Sequence, residues 1–321
     1  MISLSKLGGP EVIELIDKEL PPPGKGEVQL RQTAIGFNFI DVYQRSGYYP
    51  LDLPTGLGHE AVGVVEELGE GVTRFKKGDR VMYMNAGIGA YTSARNVAVD
   101  KLVPVPDNVT DEVAAAIFFK AMTAQYLVQK TYKVKSGDVV LVHAAAGGVG
   151  QILAGWAKSL GAFVVGSVGS EAKFAVAKEA GCDAVVDYSK PHWVEEFMKA
   201  TSGRKANVVY DSVAKTTFLG SLDCTAPFGM VALFGAASGP APEIQPEILN
   251  KKGCLYLTRP SVFPHNATPE LLQENAKAVF DAISEGRIKV KIGAKFSLEE
   301  AADAHRAAEG RKVSGAIVMI P

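Results

Sequence analysis

Cysteine is scarce in this chain: three residues in 321, Cys182, Cys224 and Cys254, far apart and without Cys-x-x-Cys spacing. That excludes a disulfide scaffold and a cysteine-built zinc ribbon, and an odd, unpaired count fits a reducing compartment, the cytoplasm. Long apolar runs are missing as well; Gly, Lys or Asp interrupts each one well before the ~20 residues that cross a bilayer. The opening Met1-Ile2-Ser3-Leu4-Ser5-Lys6 lacks a basic start followed by an apolar core, so no signal peptide is expected. Nor does one sign of charge dominate. Thirty-four Lys and Arg against 35 Asp and Glu leave a net charge of -1, with no dense basic run. Neither a nucleic-acid nor an anionic-membrane partner is therefore expected.

Glycine is plentiful at 33 residues, and it marks tight turns and places where backbone approaches a ligand. At 321 residues two domains are the default expectation. The first third reads as short strands over Val28–Ile35, Glu60–Val65 and Arg80–Met84, punctuated by Pro21-Pro22-Pro23 and Lys77-Gly78-Asp79. This pattern predicts a barrel-like β domain. An Ala-rich helix follows over Thr110–Tyr132, opening at a Thr/Asp cap.

From Asp138 strands and helices alternate. Strands are predicted over Val139–His143, Phe163–Val168, Ala184–Asp187, Val208–Asp211 and Met230–Gly235, with helices over Gly150–Leu160, Glu171–Ala180 and Trp193–Thr201 between them. Continuously apolar short strands in a βαβα order imply a doubly wound parallel sheet. Two more helices (Pro269–Glu285, Leu298–Ala308) and a final strand, Ala316–Ile320, are expected to return to the first domain.

The most informative segment runs Val139-Val140-Leu141-Val142-His143-Ala144-Ala145-Ala146-Gly147-Gly148-Val149-Gly150. It joins an apolar strand to a helix, the context a dinucleotide fingerprint requires. Read as G-x-G-x-x-G it places Ala145, Gly147 and Gly150, with alanine for the first glycine. Gly147 and Gly148 would let backbone N–H groups approach a pyrophosphate, Gly150 would let the helix pack on the strand, and the helix N-terminus adds partial positive charge. NAD sites place an acid at the end of the second strand. Here that stretch is Gly166-Ser167-Val168-Gly169-Ser170, with no carboxylate to repel a 2′-phosphate. Lys173 could pair with that phosphate and Tyr188 could cover the adenine or donate to the phosphate. The alternative is that both are solvated surface residues, and Glu171 is the second-ranked ribose ligand. NADPH is the expected cofactor.

Taken together, Gly8-Gly9-Pro10-Glu11-Val12, Gly36-Phe37-Asn38-Phe39-Ile40-Asp41, Ser46-Gly47-Tyr48-Tyr49-Pro50, Gly58-His59-Glu60-Ala61-Val62-Gly63, Gly78-Asp79-Arg80-Val81, the glycine turn and Tyr210-Asp211-Ser212-Val213 make a whole-chain resemblance. The chain resembles the medium-chain dehydrogenase/reductase superfamily, and most of all its quinone oxidoreductase (zeta-crystallin-like) branch. It departs at Gly155, where the branch usually has Gln. The resemblance implies an α/β fold: a Rossmann-type NADPH-binding domain over 123–262, and a GroES-like β-rich catalytic domain over 1–122 completed by 263–321.

The superfamily includes zinc alcohol dehydrogenases, and catalytic zinc needs three protein ligands plus an open position. His59-Glu60 matches the zinc-histidine motif. The segment that normally supplies the first cysteine reads Gly36-Phe37-Asn38-Phe39, however, and the third ligand position falls in Phe118-Phe119-Lys120. No metal is expected, and His59 reads as structural or cleft-lining. Without a Lewis acid the acceptor must take hydride readily, which points to a quinone, or alternatively to a 2-alkenal or other activated enone.

By resemblance, Asn38, Tyr43 and Tyr49 are the candidate catalytic residues, although tyrosines commonly serve packing with the hydroxyl satisfied. Asn38 is also a candidate cofactor contact, as are Thr123 and Tyr126 near the domain junction. The resemblance puts Gly148 and Val149 at the pyrophosphate and Gly169, Ser170, Lys173 and Tyr188 around the adenosine. Ser212, Phe234, Gly235, Arg259 and Ser261 come further along, and Arg311 is either a second phosphate cation or an exposed charge. Relatives commonly form homodimers by joining nucleotide sheets edge to edge, which makes Leu255–Thr258 a candidate edge strand. His143, His192, His265 and His305 show no partner spacing for a metal or a triad, and Ser212 and the cysteines lack a nucleophile elbow.

Overall fold

A computed structural model describes every residue except Val290 and Arg311, so the expected Arg311 contact lies outside the described residues. The chain divides into two compact units. The first holds Met1–Lys120, Asn266–Lys277 and the C-terminal segment to Pro321; the second holds Ala121–His265 and Ala278–Lys289. The stretch after 263 is thus shared between the units. Its portion Ala278–Lys289 packs on the second one, where the Arg287 guanidinium lies 5.9 Å from the centroid of the Trp156 ring.

The first unit opens with a short antiparallel pair, β1 (Ile2–Leu4) and β2 (Ile13–Leu15). Its main sheet has seven strands, built from β3 (Glu27–Gly36), β4 (Glu60–Leu68), β5 (Arg80–Met84), β6 (Ala94–Ala98), β7 (Leu102–Pro104) and the C-terminal strands Ile292–Ser297 and Ala316–Ile320. β3 is its centre, pairing antiparallel with β4, β6 and Ala316–Ile320. The period of two is plain along it: Val28, Leu30, Gln32 and Ala34 are buried while Arg31 is exposed, as a half-buried strand requires. Two register shifts in the β3–β4 ladder bend the sheet over the core. At the end of β3 the residue must be glycine. A Cβ on Gly36 would stand 2.2 Å from the Ala115 carbonyl oxygen and 2.3 Å from Glu60 Oε1. Helix α1 (Phe39–Arg45) starts immediately afterwards, with the Asn38 N–H donating to the Asp41 carboxylate at 2.9 Å.

Helix α2 (Asp111–Tyr126) is almost wholly apolar from Ala114 to Met122 and is buried accordingly. It ends earlier than its composition suggests, passing into a π-helical turn over Leu127–Thr131. The Leu127 carbonyl there accepts from the Tyr210 hydroxyl at 3.1 Å and the Tyr132 N–H at 3.1 Å, which removes the need for a further α-turn.

The second unit is a six-stranded parallel sheet of β8 (Val139–His143), β9 (Phe163–Val168), β10 (Ala184–Asp187), β11 (Ala206–Asp211), β12 (Thr225–Leu233) and β13 (Tyr256–Thr258). Their spatial order is β10-β9-β8-β11-β12-β13, with every neighbouring pair parallel. This is the Rossmann order, and it reverses direction between β8 and β11, where such sheets bind ligands. All five residues of β8 are buried, as a strand covered on both faces must be. Helix α3 (Gly148–Ser159) returns the chain toward β9.

Candidate active site

In the second unit the site begins where β8 ends. Ala144 takes a left-handed conformation (φ 51), and its carbonyl accepts the Gly147 N–H at 2.8 Å, closing the turn. The left-handed position is therefore Ala144, one residue before the alanine that the fingerprint aligns with its first glycine. Gly147 caps α3, whose first N–H groups, on Gly148 and Val149, lack intrahelical acceptors. The close packing that brings α3 onto the strand is severe. A Cβ on Gly150 would lie 2.2 Å from Ala144 O and 2.8 Å from Ala145 Cα.

The end of β9 lies next to this turn, the Ala145 N–H donating to Ser167 O at 3.0 Å. Gly169 and Ser170 follow, and the first acid, Glu171, stands exposed on the next turn with Lys173 half-buried behind it. Tyr188 packs against this end: a Cβ on Gly169 would come within 2.9 Å of its hydroxyl, and its N–H donates to Val168 O at 2.9 Å. On the other side of β8, Gly235 is pressed on Ser212, whose carbonyl oxygen would be 2.5 Å from an added Cβ. Arg259 donates to Leu233 O at 2.7 Å and Gly235 O at 3.0 Å, locking the ends of β12 and β13 together. The structure thus brings together Gly169 with Tyr188, and Ser212 with Gly235 and Arg259. Phe234 is half-buried beside them, and exposed Ser261 turns its Oγ to the Phe263 N–H at 3.4 Å. Thr123 and Tyr126 are buried on α2, Tyr126 stacked on His265 with ring centroids 4.4 Å apart.

One buried network under this surface is not legible as spacing in the sequence. His143 Nδ1 lies 2.5 Å from Ser167 Oγ and its Nε2 2.9 Å from Ser221 Oγ, while Ser221 donates to Asp211 at 2.8 Å. Its members come from β8, β9, β11 and the helix Phe218–Cys224, so sheet order alone brings them together. Burial pushes the His143 pKa down, which favours the neutral ring.

In the first unit the candidate residues fall into two groups. Tyr43 and Tyr49 are half-buried in an aromatic cluster: their centroids are 5.3 Å apart, and Tyr43 also meets the edges of Phe39 and Tyr48. Asn38 lies instead in a buried charged network. Its Nδ2 donates to Glu60 Oε1 at 2.7 Å, and its Oδ1 accepts from Lys120 Nζ at 3.1 Å. Lys120 donates as well to Phe37 O at 2.8 Å, and Glu60 Oε2 accepts the Phe119 N–H at 2.7 Å. Burial pushes the Glu60 carboxyl pKa up, against the pull of the Lys120 ammonium and these N–H donors. His59 is 4% exposed, with its Nε2 2.9 Å from Gln44 Oε1. Burial, aided by the Arg95 charge, lowers its pKa to about 4, so the ring is neutral.

Two family models match this chain: an alcohol dehydrogenase GroES-like domain over residues 24–107 and a zinc-binding dehydrogenase over 148–284. Along its whole length the chain is 45% identical to a quinone oxidoreductase of Pseudomonas aeruginosa, covering 99% of that protein. It is 42% identical to a 2-haloacrylate reductase of a Burkholderia species, over 99% of this chain and 98% of that one. The solved Escherichia coli quinone oxidoreductase complexed with NADPH superposes with a TM-score of 0.97 at 43% identity, covering 100% of this chain and 99% of that one. The chain belongs to the quinone oxidoreductase family.

For a quinone oxidoreductase matched by a model described as zinc-binding, the donor set is the decisive chemistry. The three positions that would ligate zinc present a carboxamide, one neutral imidazole, and a segment whose nearest polar group is an ammonium. The carboxamide and the ammonium are already hydrogen-bonded to each other and to Glu60. An ammonium repels a divalent cation and an amide ligates zinc poorly, so these residues do not fit a catalytic metal. Among the described residues no group of three or more His, Cys, Asp or Glu side chains is arranged to hold one. The nucleotide turn, by contrast, has the features of a dinucleotide cradle: glycine where any Cβ would strike backbone, a helix N-terminus, and no acid at the end of β9.

Proposed function

We infer that this protein is an NADPH-dependent quinone reductase that works without a metal. One observation carries the reading: identity of 43–45% over the full length to proteins named quinone oxidoreductase, one of them solved with NADPH. The nicotinamide, when bound, supplies a hydride, and water supplies the proton that completes the hydroquinone. The protein's part is to bind and orient the partners and to keep water from the nicotinamide during hydride transfer, the proton following from solvent afterwards. Backbone N–H groups of Gly148 and Val149 hold the pyrophosphate, and Lys173 and Tyr188 hold the 2′-phosphate beside Gly169 and Ser170. Ser212, Phe234, Gly235, Arg259 and Ser261 line the dinucleotide further on, and Thr123 and Tyr126 serve its nicotinamide half; the Asn38 amide serves the acceptor. Tyr43 and Tyr49 offer flat faces and phenolic donors to a planar acceptor.

Steady-state NADPH oxidation against a series of benzoquinones and 2-alkenals tests this. Quinones should turn over with the higher kcat/KM, and chelator treatment should leave the rate unchanged. The 2-haloacrylate reductase at 42% identity supports activated double bonds as the second reading, and faster turnover of the alkenals would put it first. Lys173→Ala should raise the KM for NADPH about tenfold, the scale of one lost charge-assisted hydrogen bond, and leave the KM for NADH unchanged. Equal effects on both cofactors would remove Lys173 from the phosphate site.

The protein is further read as a cytoplasmic homodimer. Its three free thiols suit a reducing compartment. β13 is the sheet edge, and Tyr256 (60% exposed), Leu257 (36%) and nearby Phe228 (71%) leave apolar surface there, a row that pairing with a second copy would cover. Sedimentation velocity should give twice the chain mass, and Leu257→Lys should return it to the monomer.

A further inference from the structure

Lys120 is an unusual lysine. It is 6% exposed, at the end of the apolar stretch of α2, where an ionised ammonium is costly unless every donor is used. Every donor is used: Phe37 O at 2.8 Å, Asn38 Oδ1 at 3.1 Å and Glu60 Oε1 at 3.5 Å accept one each. Glu60 is equally committed, with Oε1 on Asn38 and Lys120 and Oε2 on the Phe119 N–H. A well-packed apolar residue in place of such a pair is often no less stable, so stability alone is a weak reason for keeping it.

The consequence falls on Asn38. A carboxamide is symmetric in shape and can turn over, exchanging its oxygen for its nitrogen. Here a donor-only ammonium faces one side and an acceptor carboxylate the other, so only one orientation satisfies both. In that orientation Oδ1 is occupied and Nδ2 spends one of its two N–H donors on Glu60. The second has no partner among the described residues.

We propose that Lys120 is a positioning residue for acceptor reduction: its buried ammonium pins the Asn38 carboxamide, so that the remaining Asn38 N–H serves as a donor to the acceptor oxygen as negative charge builds there. This rests on the quinone-reductase reading. A donor held in place before the reaction costs no reorganisation during it, and a positive charge one hydrogen bond behind the amide strengthens it as a donor.

Lys120→Met alone would strand Glu60 and could unfold the unit, so the test is the charge-neutral pair Lys120→Met with Glu60→Gln. If Lys120 serves only to neutralise Glu60, the pair restores the fold and, with it, turnover. If Lys120 positions Asn38, the pair folds and binds NADPH with an unchanged Kd, yet kcat for benzoquinone falls about 10- to 100-fold, the scale of a misplaced catalytic group. A kcat within twofold of wild type in the folded double variant overturns the proposal. A second readout is independent of turnover: the Asn38 side-chain amide in protein labelled with 15N-asparagine, identified by its loss in Asn38→Asp. Its protons should exchange at least about tenfold faster with solvent in the double variant, as loss of a buried hydrogen bond demands. If wild-type protein shows no quinone turnover, the functional reading has failed, and this exchange rate decides the positioning by itself; an unchanged rate overturns it.

Discussion

Replacing Gly150 with alanine is expected to destabilise the nucleotide-binding unit by about 3 kcal/mol or more and to abolish measurable NADPH binding. The new Cβ would fall 2.2 Å from Ala144 O and 2.8 Å from Ala145 Cα, both backbone atoms of the turn itself. No rotamer relieves such a contact. Either α3 moves away from β8 or the turn reopens, and each displaces the Gly148 and Val149 N–H groups. The matched change at Gly147 isolates the cause. There the Cβ meets only Ala144 O, at 3.1 Å, which a shift of a few tenths of an ångström relieves, so Gly147→Ala should cost about 1 kcal/mol or less. Urea unfolding and fluorescence titration with NADPH measure both variants. Equal behaviour of the two would show that close packing at Gly150 is not what holds the cradle.

Asp41→Asn is expected to stabilise the protein above neutral pH and to have little effect near pH 4. Asp41 is fully buried, and that burial, with a smaller push from Glu60, raises its pKa from an ordinary 3.8 to about 7. Its Oδ2 accepts both the Asn38 N–H at 2.9 Å and the Tyr91 hydroxyl at 2.8 Å, while Oδ1 has no hydrogen-bond partner among the described residues. The folded state therefore holds a proton that the unfolded chain releases near its ordinary value. Between about pH 4 and 7 the unfolded state binds fewer protons, so wild-type stability falls as pH rises, by about 2–4 kcal/mol in all. Below that window both states are protonated, above it both are ionised, and the slope vanishes. An asparagine keeps an acceptor for both bonds and carries no charge to desolvate, so its stability should be flat across the window. Urea unfolding at half-unit steps from pH 4 to pH 8 checks this. A variant less stable than wild type at pH 8 would mean that the network requires an ionised Asp41.

The nucleotide-binding unit was largely legible in the chain because its signals are local. Val139–His143 is apolar throughout, the glycines follow at once, and a helix opens after them; the strand, turn and helix are where that order puts them. The acid-free end of β9 is equally local, since Gly169 and Ser170 follow the strand directly. Less legible was the fine conformation of the turn. Two alanines in succession offer no compositional clue that Ala144 takes the left-handed position. The first unit was harder still. Helix α1, strand β6 and the strand Ile292–Ser297 are short and lack clean periodicity, and tertiary pairing on β3 and Ala316–Ile320 defines the two strands.

The sequence by itself determined the two-part organisation, the parallel nucleotide sheet, the glycine cradle, and the residue types at the positions where a metal would bind. The sheet and the glycine cradle follow from neighbours within a few residues, where backbone geometry ties pattern to structure; the two-part organisation follows from chain length, and the metal positions from the family resemblance. Only the tertiary structure decided which polar side chains meet. Asn38 finds Glu60 22 positions away and Lys120 82 away, and His143 finds Ser221 at a distance of 78. Such partners are set by strand order and by the burial that forces every polar group in a dry interior to find one. That is why the chain shows Lys120 only as part of the segment at the third metal-ligand position, while its contact with Asn38 appears in the tertiary structure alone.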